Sequence, residues 1–153
     1  MKYTDLSVVE SFLPLAPQDV GVSARVADAP EFSQTPLVER IRTGLPMAEF
    51  RSLQDLLQIP EDDLGRLLGI SPATLHRRKK SNHLTSSESE RVVRFARLFG
   101  LAMEVFDTAE AACSWLKTNN PGTAGESPLS YADTEFGARE VENLLGRLDH
   151  GVF

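Results

Sequence analysis

The sequence predicts an all-α protein with a helix-turn-helix helical core, and three observations carry that expectation. Apolar residues recur at intervals of three and four through most of the chain, and no stretch alternates convincingly as a strand would. Helix-stopping and helix-starting residues punctuate these runs at Gly69 with Ser71-Pro72, at Thr85 with Glu88, and at Asn119-Asn120-Pro121-Gly122. A basic cluster, His76 to Lys80, follows the Ser-Pro start, where the second helix of such a motif enters the major groove of DNA.

Taken in order, residues 1–36 read as an arm. Its short apolar pieces (Leu6, Val8, Val9, Phe12, Leu13) are interrupted by Pro14 and Pro17. A lone helix-turn-helix reads few base pairs, and specific binders usually pair two across a two-fold axis. A homodimer is therefore expected, with Leu6 to Leu13 as its surface, helped by Leu37 and Ile41.

Leu37 to Arg42 reads as a short helix closed by Gly44 and Pro46, and Met47 to Gln58 as the next, with Phe50, Leu53, Leu56 and Leu57 on one side. The helix-turn-helix follows. Leu64, Leu67 and Leu68 face inward on its first helix, whose positive N-terminal end carries Glu61, Asp62 and Asp63. Small Gly65 leaves room for the helices to cross, and Gly69 ends the first of them. Ser71 caps the second and Pro72 sits in its first turn, where a missing N–H costs nothing. The expected core is Phe50, Leu53, Leu57, Leu64, Leu68, Ile70 and Leu75.

Thr85 and Glu88 form a capping box that opens a long helix at Ser86, with Val92, Phe95, Ala96, Phe99 and Met103 inward. Arg91, Arg94 and Arg97 fall between these, placed to reach phosphates or simply to be solvated. Asp107 with Glu110 reads as a second capping box, opening a helix through Ala111, Ala112, Trp115 and Leu116. Pro121 to Ser127 has linker composition, Ser127-Pro128 starts a turn of helix, and Asp133 or Thr134 caps a last helix. Val141, Leu144, Leu145 and Leu148 give that helix its apolar stripe. The expected division is an arm over 1–36, a helix-turn-helix domain over 37–120 and a C-terminal segment over 121–153.

The net charge of −6 suits a DNA-binding protein only when divided along the chain. Residues 1–59 carry five bases and eight acids, residues 60–100 eight bases and five acids, and residues 101–153 three bases and nine acids. The middle alone is basic, which points to local nucleic-acid contact. On its second helix, Ser71, Thr74, His76, Arg77 and Arg78 are placed to reach base edges, and Lys79 and Lys80 to hold phosphates. Arg78 departs from the usual pattern, standing where such motifs often carry a second inward aliphatic residue. The bland alternative is a helical hairpin with a basic solvated face.

No apolar run approaches the ~20 residues of a membrane helix, and no signal-peptide pattern is present. The lone Cys113, on an Ala-rich apolar face, reads as a packed thiol in a reducing cytosol, so a cytoplasmic protein is expected. His76, His83 and His150 lack partners at ligand spacing, so no metal is expected. There is no P-loop, nucleotide-binding glycine fingerprint or nucleophile elbow. A binding protein, with no cofactor and no catalysis, fits better than an enzyme.

Two blocks resemble the Xre/MbcA/ParS-like antitoxins, partners of RES-domain toxins: LLGISPATLHRRKKSNHLTSSESERVVRFARLFGLAMEVF and AACSWLKTNNPGTAGESPLSYADTEFGAREVENLLGRLDHGVF. The second is the more specific, because its order of Trp115-Leu116, Asn120-Pro121, Pro128-Leu129, Asp133-Thr134, Gly137-Ala138, Leu145-Gly146-Arg147 and His150-Gly151-Val152 has no generic structural explanation. The resemblance implies a two-function antitoxin. Its helix-turn-helix would bind operator DNA at its own promoter, and its C-terminal segment would cover the active site of a toxin that degrades NAD. Arg139, Glu140, Arg147, His150 and the terminal Phe153 are the expected toxin-binding edge. The acidic C-terminal third would suit the basic pocket of an enzyme that takes an anionic dinucleotide. Two alternatives stand beside this: a stand-alone helix-turn-helix repressor, which leaves the tail idle, and a pure inhibitor, which leaves the basic helix idle.

Overall fold

The computed structural model describes residues 35–151. They form eight α-helices: α1 (Thr35–Thr43), α2 (Met47–Leu57), α3 (Glu61–Leu67), α4 (Pro72–Ser81), α5 (Ser86–Phe106), α6 (Ala109–Lys117), α7 (Pro128–Tyr131) and α8 (Glu135–Asp149). A 3-10 turn, Pro121–Thr123, lies between α6 and α7. Among the described residues there is no strand, only an isolated bridge between Pro46 and His83. The 21-residue α5 is the axis, with α1, α2, α6 and α8 all packed against it. No helix among the described residues is long and apolar enough to cross a membrane.

The core follows from the helical periodicity. Every expected core residue of the helix-turn-helix region is buried, and Leu45, Met47, Leu84, Phe95, Leu98 and Phe99 join them. Each such side chain contributes ~1.5–3 kcal/mol of transfer free energy before ordering entropy is charged against it. The Phe106 and Trp115 rings, 5.6 Å apart between centroids, clamp α6 to the end of α5. Ser89, wholly buried in α5, donates to Thr85 O at 2.7 Å and accepts Leu45 N–H at 2.8 Å. Among the described residues no buried side-chain nitrogen or oxygen lacks a partner.

Thr85 and Glu88 form the capping box expected at the start of α5. The second expected box does not form. Asp107 turns left-handed at φ 61° to close α5, so its carboxylate is not at a cap position, and Thr108 caps α6 by accepting Ala111 N–H at 3.2 Å. The linker-like 121–127 stretch is a built turn. Asn120 Oδ1 accepts Gly122 N–H at 2.8 Å, and buried Thr123 donates to Glu126 O at 2.6 Å. Met103, Leu144 and Leu148, expected inside, are only half-buried. The proposed arm falls outside the described residues except for its last two positions, which open α1.

Candidate functional site

The turn between α3 and α4 is set from two sides. Gly69 has φ +69°, a conformation that excludes most side chains. A Cβ there would also stand 2.8 Å from Nη1 of Arg91, which donates to Leu68 O at 2.8 Å. Arg91 thus reaches from α5 to cap the end of the first helix of the motif. Ser71 caps α4 as expected, accepting Thr74 N–H at 3.2 Å, and Gly65 sits 3.2 Å, measured from its would-be Cβ, from Ile70 O.

Leu75 is the one residue of α4 that is fully buried. His76, Arg77 and Lys80 are exposed, and Arg77 Nη2 rests on Thr74 Oγ1 at 3.1 Å, which is itself 3.0 Å from Ser71 Oγ. The structure therefore brings Ser71, Thr74 and Arg77 into one polar chain at the exposed start of the helix, with His76 and Lys80 beside it. Two of the expected contact residues are engaged inside the protein. Arg78 donates through Nε to Glu88 Oε2 at 2.8 Å, with its side chain only 24% exposed, and Lys79 Nζ lies 2.6 Å from Glu61 Oε2. Arg78 occupies the inward position that the pattern reserves for an aliphatic, and it is tolerated there because Glu88 neutralises it.

Glu88 is accordingly shared: the same Oε2 accepts Thr85 N–H at 2.8 Å. Burial by itself would raise this carboxyl, but the Arg78 guanidinium and the Thr85 N–H outweigh it and hold the group below the usual carboxylate range. The hydrogen bond to Glu88 in turn raises Arg78, so the pair is fully ionised at neutral pH.

The arginines of α5 are engaged with neighbouring segments of the protein. Arg94 donates to Glu135 Oε2 and to Asp133 O, each at 3.1 Å. Arg97 meets Glu142 Oε1 at 2.7 Å and Glu135 Oε1 at 3.2 Å. With Arg91 on Leu68, all three tie neighbouring segments to α5, an internal role beside the two, phosphate contact or solvation, that the sequence left open. Burial pushes the Glu135 carboxyl up, but Arg94 and Arg97 outweigh this and bring it below the ordinary range.

The outward face of α8 carries the expected partner-binding residues. Arg139, Arg147 and His150 are exposed, and Glu140 is half-buried on the same side. Glu142, Asn143, Gly146, Arg147 and His150 line an open groove, and a Cβ on Gly146 would meet nothing within 4 Å. The negative charge of this third is partly cancelled at Glu135 and Glu142 by the α5 arginines, which leaves Arg139, Glu140 and Arg147 as the charges of the outward face. Phe153, the remaining expected residue, lies outside the described residues, as does Val152. Sequence reasoning passed over Phe136, which is 74% exposed. Its signal was the phase of the helix, since it stands three, seven and eleven residues before Arg139, Asn143 and Arg147.

Cys113 is buried, with Sγ 2.8 Å from Leu56 O, and burial raises its thiol above the ordinary value, as a packed and unreactive group requires. Among the described residues no group of His, Cys, Asp and Glu is arranged to hold a metal ion.

A family model described as the antitoxin Xre-like helix-turn-helix domain matches residues 36–97, and one described as the antitoxin Xre/MbcA/ParS C-terminal toxin-binding domain matches residues 101–151. The chain is 37% identical over 121 residues to "Antitoxin Xre" of Yersinia enterocolitica, covering 78% of this chain and 82% of that protein. It is 32% identical over 130 residues to "Antitoxin Xre" of Photorhabdus laumondii, covering 84% and 88%. It is also 25% identical over 123 residues to the "Prs ADP-ribosylating antitoxin" of a Sphingobium strain, covering 74% and 77%.

Proposed function

The chain belongs to the Xre/MbcA/ParS antitoxin family, with a helix-turn-helix and a toxin-binding domain, and from that premise we propose that it silences a RES-domain toxin and represses its own operon. The observation that carries this reading is the separation of two exposed surfaces around one shared helix. The polar start of α4 with His76 and Lys80 is free on one element, and the outward face of α8 is free on another. In this reading Ser71, Thr74, His76 and Arg77 meet base edges, Lys80 holds phosphates, Lys79 joins it by leaving Glu61, and Arg78 positions the helix from behind.

Arg139, Glu140, Arg147, His150 and Phe153 cover the mouth of the toxin's NAD pocket, with Arg147 on acidic or carbonyl groups there. The chain itself binds no cofactor and catalyses nothing. The Sphingobium relative is likewise named an antitoxin, which supports a toxin as the partner. The test is co-expression with the product of the adjacent gene. The full chain restores growth and cellular NAD, and a chain lacking residues 147–153 does not, while an operator fragment from the shared promoter shifts equally with both. Growth arrest that persists with the full chain, or rescue by the truncated one, refutes the toxin assignment.

A further inference from the structure

The outward face of α8 extends well beyond the residues assigned to it, and its N-terminal end displays one large apolar group. Phe136 is 74% exposed, and the only other exposed large hydrophobic among the described residues is Val38, at 42%. A single exposed aliphatic needs no explanation. An aromatic held outward by a fixed backbone does, because the chain gains nothing from it alone.

The backbone around Phe136 is fixed on both sides. Thr134 caps the helix by accepting Gly137 N–H at 3.0 Å. Gly137 is pressed so closely on α7 that a Cβ would stand 1.9 Å from Tyr131 O. Glu135 is held by Arg94 and Arg97, and Ala138 is wholly buried. Phe136 is therefore presented by a first turn that cannot rotate to bury it. Preorganisation of this kind lowers the ordering cost of association.

We propose that Phe136 is the anchor of the toxin interface, seated in an apolar pocket of the toxin whose rim is acidic or lined by carbonyls. This rests on the reading of α8 as the toxin-binding element, and it extends the footprint along the helix to ~21 Å between Phe136 and His150 at 1.5 Å per residue. The occupant follows from continuity and charge. Phe136 shares one face with Arg139, Asn143 and Arg147, within the stretch matched by the toxin-binding family model. Of the acids on or beside that face, Glu135 and Glu142 are paired with α5 and Glu140, one turn on from Phe136, is half-buried. The loosely paired Arg139, 3.9 Å from Glu135, is the neighbouring cation, and the unpaired Arg147 stands three turns farther along the same face. A rigidly presented aromatic sharing its face with arginines has the composition of an interface hot spot.

The experiment titrates the full chain with the catalytically inactivated product of the adjacent toxin gene, using wild type, Phe136→Ala, Phe136→Leu and Phe136→Glu. Helicity and melting temperature of each free chain are measured alongside. The expected result is a Kd raised ~30-fold or more by Phe136→Ala and further by Phe136→Glu, largely recovered by Phe136→Leu, with unchanged melting. Wild-type affinity in Phe136→Ala overturns the anchor while leaving the antitoxin reading intact. Loss of binding by wild type itself overturns both. Phe136→Ala that lowers the melting temperature or dissociates a dimer, yet keeps its toxin affinity, assigns the patch to this chain or to a second copy and overturns the proposal.

Discussion

At the scale of single residues, α4 separates exposed side chains from those engaged with the rest of the protein. Arg77 is exposed and only loosely seated on Thr74, so it can leave that oxygen for a guanine edge. Arg77→Ala is expected to cost ~1–3 kcal/mol of operator binding and to relax specificity at one base pair, as checked by binding to a set of operator variants. Lys80→Ala should weaken all sequences alike and reduce the slope of log K against log salt by about one. Arg78 and Glu88 act differently. Glu88 has a folded-state pKa below its unfolded value, so its contribution is complete above the unfolded value and is lost as pH falls through the folded one. Glu88→Gln is expected to cost ~1–3 kcal/mol at neutral pH by breaking charged hydrogen bonds to Arg78 and Thr85. The difference from wild type should shrink as pH drops below the carboxylate range, in urea melts at a series of pH values.

At the scale of elements, α5 does more than fill the core. Its arginines at positions 91, 94 and 97 reach the end of α3, the α7–α8 connection and the first two turns of α8. Partly exposed ion pairs of this kind contribute little to global stability, ~0–1 kcal/mol each. Their effect is local order. Replacing Arg94 and Arg97 together by alanine is expected to leave the melting temperature nearly unchanged while amide exchange accelerates over residues 135–142 and not over α4. Uniform protection in the double variant would mean that apolar packing of Val141 and Leu145 alone orders α8. Gly137 offers a harder test of the α7–α8 junction. A methyl group there overlaps Tyr131 O, so Gly137→Ala should cost ~1–3 kcal/mol as overpacking, read in the same melts.

At the scale of the whole molecule, the two family models abut inside one helix: one match ends at residue 97 and the other begins at residue 101, both within Ser86–Phe106. The helix-turn-helix and the toxin-binding region therefore share a core rather than hanging on a flexible joint, and α8 sits against the same helix that holds α4 through Glu88 and the end of α3 through Arg91. We expect assembly to depend on the N-terminal residues. Deleting residues 1–35 should leave a helical monomer that keeps toxin affinity and loses operator affinity, as measured by sedimentation and gel shift. A truncated chain that still sediments as a dimer would move the interface onto the helical body.

What the sequence determined by itself was the set of features encoded within a few residues of one another. The helix pattern, the Ser71 cap, the Thr85–Glu88 box, the Gly69 turn and the buried face of the helix-turn-helix are all local or periodic, and each formed as expected. The Asp107 box failed because two residues compete for one boundary, and the fold chose Thr108 by ending α5 on a left-handed Asp107. The employment of the charges was decided only by tertiary structure. Arg78 meets a carboxylate ten positions away, and Arg94 and Arg97 meet Glu135 and Glu142 at separations of 38 to 45. A charge written in a sequence carries no record of its partner. Its side chain is free for a ligand or engaged with the protein according to what packing brings within ~4 Å.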